Sequence, residues 1–140
     1  MSESSITKYI TQTFPNVETT TNFGYTFFFY REERIHAFAT IASTGNAYEI
    51  VSRLDRPGVY RLNIGVSRET FKSLFGAEKV NVSDYDFTAL DTILPHPDYS
   101  AQLFICVLSP SDATFEQVRP LLAEAYEIAI RKFNQRGKNK

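Results

Sequence analysis

The stretch VYRLNIGVSRETFKSLFG, Val59–Gly76, carries a strand, a cap and a helix with no linker between them. Tyr60, Leu62 and Ile64 alternate with Arg61, Asn63 and Gly65, the period of two that sends one set to each face of a strand from Val59 to Val66. Ser67 brings the hydroxyl that a helix N-terminus requires, and Gly76 brings the left-handed freedom that ends a helix running from Arg68 to Phe75.

Upstream, Ile6, Tyr9, Ile10 and Phe14 recur at helical spacing, with Ser4 or Ser5 as cap and Pro15 as stop. From Val17 the texture becomes β-branched and aromatic, which predicts a meander of Val17–Thr21, Tyr25–Tyr30 and Ile35–Ala42. Asn22-Phe23-Gly24 and the charged tetrad Arg31–Arg34 are its turns. Thr44-Gly45-Asn46 and Arg56-Pro57-Gly58 then read as loops around a short helical stretch at Tyr48–Leu54.

Downstream, Ala77–Ser100 reads as an irregular covering segment, in which Phe87, Leu90, Ile93 and Leu94 predict two helical turns before Pro95 and Pro97. LFICVLS, Leu103–Ser109, is a continuous apolar run that fits a central strand. Phe115, Val118, Leu122, Ala125 and Ala129 form the stripe of a last helix, with Thr114-x-x-Gln117 as capping box and Pro120 as a kink or the start of its long portion. The order α-β-β-β-β-α-β-α describes an α+β two-layer sandwich on a mostly antiparallel sheet of about five strands. One domain over residues 1–136 is expected, followed by a frayed basic tail at 137–140.

With 140 residues, 43% of them hydrophobic, the chain can bury roughly two-thirds of its unfolded surface, which excludes disordered and fibrous classes. A single cysteine, Cys106, allows no internal disulfide, and the first ten residues hold no secretory signal, so a cytoplasmic location is expected. The net charge of −1 divides unevenly, because Arg131, Lys132, Arg136, Lys138 and Lys140 stand in the last ten residues without an acid. The remaining chain is acidic and repels a phosphate backbone, so nucleic-acid binding would rest on a local patch or on that tail.

Cations concentrate between Arg53 and Lys72. Arg61 on its strand, Arg68, and the free amides at Ser67 could converge on an anion, since helix N-termini attract negative charge. Arg56 belongs to the same candidate binding set of Arg56, Arg61, Ser67 and Arg68; in the competing reading Arg56 pairs with Asp55 in a turn and the other cations are solvated. His96, held between Pro95 and Pro97 with Asp98 nearby, is the candidate catalytic residue as a general base; its alternative role is to fix the loop by bonding backbone. Cys106 is expected as a buried, protonated thiol and His36 as an ordinary strand residue. Asp84, Asp86, Asp91, His96 and Asp98 lack the spacing of calcium or zinc sites, so no metal and no cofactor are expected.

LDRPGVYRLNIGVSRETFKSLFG (Leu54–Gly76), DFTALDTILPHPDY (Asp86–Tyr99) and VLSPSDATFEQVRPLLAEAYEIA (Val107–Ala129) resemble a bacterial family described only as a domain of unknown function. That resemblance covers the chain from Ile6 to about Ala129 and implies no catalytic residues. More remotely, the element order is similar to that of the YjbR/MmcQ-like proteins, whose fold resembles type III secretion chaperones and for which DNA binding has been suggested.

Three functions follow as expectations. The first is a small cytoplasmic binding or interaction module without catalysis, contacting an anionic ligand or a protein partner and no membrane. The second is a small enzyme that uses His96 as a general base, and the third a DNA-binding domain. A homodimer through an aromatic edge strand such as Tyr25–Tyr30 is also expected.

Overall fold

The computed structural model describes residues 1–138, without the side chain of Lys138. Its sheet takes the order β1-β2-β3-β4-β6-β5, from Val17–Asn22 (β1), Tyr25–Tyr30 (β2), Ala39–Ala42 (β3), Arg61–Gly65 (β4), Ile93–Pro95 (β5) and Phe104–Leu108 (β6). All neighbouring strands run antiparallel. Three helices accompany it among the described residues: α1 (Glu3–Thr13), α2 (Arg68–Phe75) and α3 (Asp112–Lys138). The α+β sandwich with an N-terminal and a long C-terminal helix is therefore as expected, with one strand more than the five read from the sequence.

Strand alternation gives the sheet two different faces. Phe28 and Tyr30 of β2, Ile41 of β3, Leu62 and Ile64 of β4, and Ile105 and Val107 of β6 join one apolar cluster with Ile6 and Ile10 of α1, Phe71 of α2 and Phe115 of α3. Fully buried rings such as Phe28, Phe71 and Phe115 each contribute about 1.5–3 kcal/mol to the fold. The opposite face carries Tyr25, Phe27, Thr40, Arg61, Asn63 and Cys106, and irregular chain covers much of it. The β1–β2 hairpin turns on Phe23 and Gly24, both at positive φ (53° and 80°), the pair of values a tight two-residue hairpin requires. A Cβ on Gly24 would also meet the Asn46 amide at 2.9 Å, so glycine is needed there twice over.

Several sequence readings are corrected. Tyr25–Tyr30 is an interior strand between β1 and β3; the sheet's edges are β5 and β1, and the Glu and Thr side chains of β1 are exposed. The strand expected over Ile35–Ala42 begins only at Ala39. The Glu33 carboxylate accepts the N–H groups of Ile35 (2.7 Å) and His36 (3.3 Å) and bends the chain off the sheet. No helix forms over Phe87–Leu94. Asp86 caps Thr88 in a tight turn, Asp91 takes a positive φ, and the chain then pairs with β6 as β5. The stretch at Tyr48–Leu54 shortens to a single turn, Ile50–Ser52. The first helix is capped by Ser2 rather than Ser4 or Ser5.

The last helix starts earlier than its expected capping box. Ser111 accepts the Thr114 N–H (3.2 Å) while its own N–H is held by Asp91 (2.7 Å). Pro120 lies well inside α3 and removes one backbone donor there, but it is not where the helix begins. The helix extends through Gly137 and Lys138, while Asn139 and Lys140 of the expected tail lie outside the described residues. Among the described residues no helix is long and apolar enough to cross a membrane.

If Ser111 is the cap, Ser111→Ala should lower stability by about 1 kcal/mol. Gln117→Ala should change it by less than about 0.5 kcal/mol, as an exposed helix position does. Urea denaturation of the two variants compares them directly.

Candidate functional site

β4 lies between β3 and β6, and its register places Arg61 beside Ala42 and Leu108, and Asn63 beside Thr40 and Cys106. Arg61 thus projects from an interior strand on the face away from the helices, where it is 1% exposed. A guanidinium removed from water needs protein partners for its N–H groups. Its Nε donates to Asn63 Oδ1 (2.8 Å) and Nη1 to Ser52 Oγ (2.8 Å), and Nη1 forms an ion pair with Glu49 Oε2 (2.9 Å). Asn63 in turn donates to Thr40 Oγ1 (2.9 Å), and the Tyr25 hydroxyl donates to Glu49 Oε1 (2.5 Å). Burial and the Glu49 carboxylate both push the Tyr25 hydroxyl well above the usual tyrosine range, so it remains a donor.

The loop after β3 delivers Glu49 and Ser52. Asn46 donates to the Gly24 carbonyl (2.9 Å) and accepts the Tyr48 N–H (2.9 Å), which clamps the loop against the hairpin turn. The turn Ile50–Ser52 then directs Ser52 inward. Arg56 locks the far end by donating to the carbonyls of Arg53 (3.0 Å), Ser52 (3.1 Å) and Thr88 (2.9 Å).

His96 approaches from the other side, just after β5. Its Nδ1 accepts the backbone N–H groups of Asp98 (3.0 Å) and Tyr99 (3.0 Å), so a neutral ring carries its proton on Nε2. Burial and the neighbouring Arg61 charge lower its pKa to about 3, which keeps the ring neutral in ordinary buffers. Nε2 lies 3.4 Å from Arg61 Nη2. Both atoms are donors, so neither satisfies the other, and Nη2 has no acceptor among the described residues.

Above these two groups opens a cavity of about 900 Å³, within the size range of small-molecule sites. Its walls hold Phe27, Tyr48, Tyr99 and Phe104 beside Arg61, Asn63 and His96. Phe104 rests on Gly65, where a Cβ would come within 3.1 Å of its ring, and stands edge-on to His96 at 6.4 Å. Tyr99 lies 4.9 Å from the same imidazole. The site is a pair of fixed donors set among aromatic rings, able to bind an acceptor oxygen that carries an apolar body.

Of the binding set read from the sequence, only Arg61 reaches this place, and it arrives beside His96 rather than beside Ser67 and Arg68. Ser67 caps α2 as expected, accepting the Thr70 N–H at 3.1 Å. The anion at that terminus is supplied from within, because Glu124 accepts the Ser67 N–H (2.6 Å) and the Thr70 hydroxyl (2.7 Å). Arg68 is exposed and faces Glu78 at 3.8 Å, while Arg56 bonds backbone carbonyls instead of Asp55. His96 fixes its loop, and the nitrogen left over is a donor, the opposite of a base. Asp98 lines the cavity and contributes its N–H to His96, and His36 lies at the rim. Cys106 is fully buried, its thiol pushed up to about 12 by that burial. Among the described residues no three His, Cys, Asp or Glu side chains are grouped to hold a metal.

Glu49, Ser52, Asn63 and Tyr25 escaped the sequence reading. The one available signal was Arg61-x-Asn63 in the middle of an apolar strand, two polar side chains that must share one face and one solution to burial.

A family described as a family of unknown function, DUF6194, matches residues 1–138. The chain belongs to that family. Comparison with curated proteins and with solved structures yields no match, and neither shows the likeness to YjbR/MmcQ-like proteins. The match spans every residue of the buried network, from Tyr25 to Tyr99.

Because Arg61 is buried, its replacement does not leave stability unchanged, as a solvated cation would. Arg61→Met leaves Glu49 buried without its partner and should cost about 3–5 kcal/mol in urea denaturation, whereas Arg68→Ala should cost less than about 1 kcal/mol.

The depressed pKa of His96 also sets a pH dependence. Between pH 6.5 and pH 3 the unfolded chain binds a proton that the folded chain does not, so stability falls as pH drops through that window. From pH 7 to pH 5 the loss from this residue should be about 2 kcal/mol. His96→Asn should remove that part of the slope in matched urea titrations.

Proposed function

We propose that this protein is a non-catalytic binding module that holds a small molecule in the cavity over β4 and β6. The observation that carries the reading is the pair of donors Arg61 Nη2 and His96 Nε2, 3.4 Å apart on two residues that line the cavity. Buried donors without an acceptor are destabilising, so this pair calls for an acceptor oxygen from outside the chain. The absence of catalysis is supported by the state of the candidate groups. A general base needs a free nitrogen and a pKa near the working pH, whereas His96 offers an N–H and a pKa of about 3. The Cys106 thiol is protonated and donates weakly to the Pro95 carbonyl at 3.7 Å. Of the cations a DNA-binding role would draw on, Arg56 bonds backbone carbonyls, Arg68 faces Glu78 and Arg136 of the basic tail pairs with Glu33.

His96→Asn separates folding from binding. An asparagine oxygen in the place of Nδ1 can accept the same two N–H groups, as it does in Asx turns, but supplies no donor at Nε2. A thermal-shift screen of small metabolites at pH 7.5 should find compounds that raise the melting temperature of the native protein. At ten times Kd the gain is about 1.4 kcal/mol, or roughly 3–6 °C for a chain of this size. The same compounds should shift His96→Asn by less than half as much, and mass spectrometry should recover them unchanged. Equal shifts in both proteins would remove the cavity as the site, and chemically altered compounds would overturn the absence of catalysis.

A further inference from the structure

We infer that the ligand is uncharged and sets a carbonyl-type oxygen against both Arg61 and His96, with its apolar body among Phe27, Tyr99 and Phe104. This inference rests on the binding reading above and adds the chemical class of the ligand. Two donor nitrogens 3.4 Å apart are close enough to share one acceptor oxygen, which a ketone, amide or ester carbonyl supplies.

The ion pairs around the two donors close without a ligand, and Asp98 and Lys132 add one charge of each sign to the lining. Glu49 already neutralises Arg61 at 2.9 Å, and Glu33 already pairs with Arg136 at the rim. His96 offers no compensating positive charge, because its Nδ1 accepts two backbone N–H groups and holds the ring neutral. A ligand carboxylate would therefore stand as a second anion on a guanidinium whose charge is matched, with Glu49 held on the same group. Removing an extra charge from water without a new partner is unfavourable, whereas a neutral carbonyl adds hydrogen bonds and no net charge. The rings around the donors fit the rest of such a molecule, since Phe104 and Tyr99 flank the imidazole and Phe27 lies on the neighbouring wall.

Three probes of similar shape test the assignment: acetophenone, benzoate and ethylbenzene, titrated at pH 7.5 into the ¹⁵N-labelled native chain and into His96→Asn. The signals to follow are the Asp98 and Tyr99 amides and the Arg61 side-chain N–H groups. Acetophenone should shift them saturably, at least tenfold tighter than benzoate. Ethylbenzene should leave the Arg61 N–H signals in place, and His96→Asn should bind acetophenone at least fivefold more weakly. Tighter binding of benzoate would overturn the neutral carbonyl in favour of an anion and leave the binding reading standing. Ethylbenzene binding as tightly as acetophenone would overturn the role of the two donors, again without touching the binding reading. Saturable binding by none of the three would overturn both.

Discussion

A guanidinium held out of water in the middle of the sheet is the constraint that organises half of this protein. Arg61 is 1% exposed, and a charge in that position is tolerated only when protein groups replace its hydration. Each replacement has its own requirement. Glu49 must be brought over the sheet, so Asn46 pins its loop to the hairpin turn at Gly24. Ser52 must turn inward, so a single helical turn forms and Arg56 fastens its end to Thr88 in the next covering segment. Asn63 must present its oxygen to Nε, so its amide is oriented by Thr40 across the strand pair. The segments that cover this face also build two small apolar clusters, Leu54 and Val59 against Ala42 and Leu108, and Phe87 and Leu94 against Cys106, and the ion pair is the polar anchor that accompanies them.

The two faces of the sheet explain which parts of the fold were legible in the sequence. The alternation Tyr60, Leu62, Ile64 against Arg61, Asn63, Gly65 and the presence of α1, α2 and α3, though not the caps of α1 and α3, follow from period and apolarity, which report which residues share a face. Period does not report whether a polar face is covered. Arg61 reads as solvated because the segments that bury it, residues 43–58 and 86–103, carry no sustained period that would mark them as a cover. The same limit explains the missing strand. Ile93 and Leu94 fall at helical spacing with Phe87 and Leu90, but β6 offers a row of unpaired backbone groups, and pairing with it outweighs a local preference of two turns.

The anion site was legible in kind but not in occupant. Ser67 does start a helix whose free N–H groups attract a carboxylate, and the carboxylate is Glu124 of α3, 57 residues away in sequence. A cap motif is local and its partner is not. The His96 loop divides in the same way. Two prolines identify a stiff loop from sequence alone, yet the direction in which the ring works depends on which nitrogen meets the backbone. With Nδ1 accepting from Asp98 and Tyr99, the residue that sequence chemistry marks as a base becomes a donor.

That reversal decides what kind of selectivity the cavity has. A pocket of rings alone separates ligands weakly, by about 1–3 kcal/mol per methylene, because apolar contacts degrade gradually. Two buried donors separate them by kind, since a ligand without an acceptor oxygen leaves both N–H groups without a partner. The ion pair with Glu49 sharpens this further. By matching the charge of Arg61 it takes away the long-range attraction that would draw any anion, and leaves the short-range geometry of Nη2 and Nε2 to discriminate. The same buried ion pair that lets the loops cover the sheet therefore turns an arginine, the side chain most often read as an anion receptor, into a fixed hydrogen-bond donor.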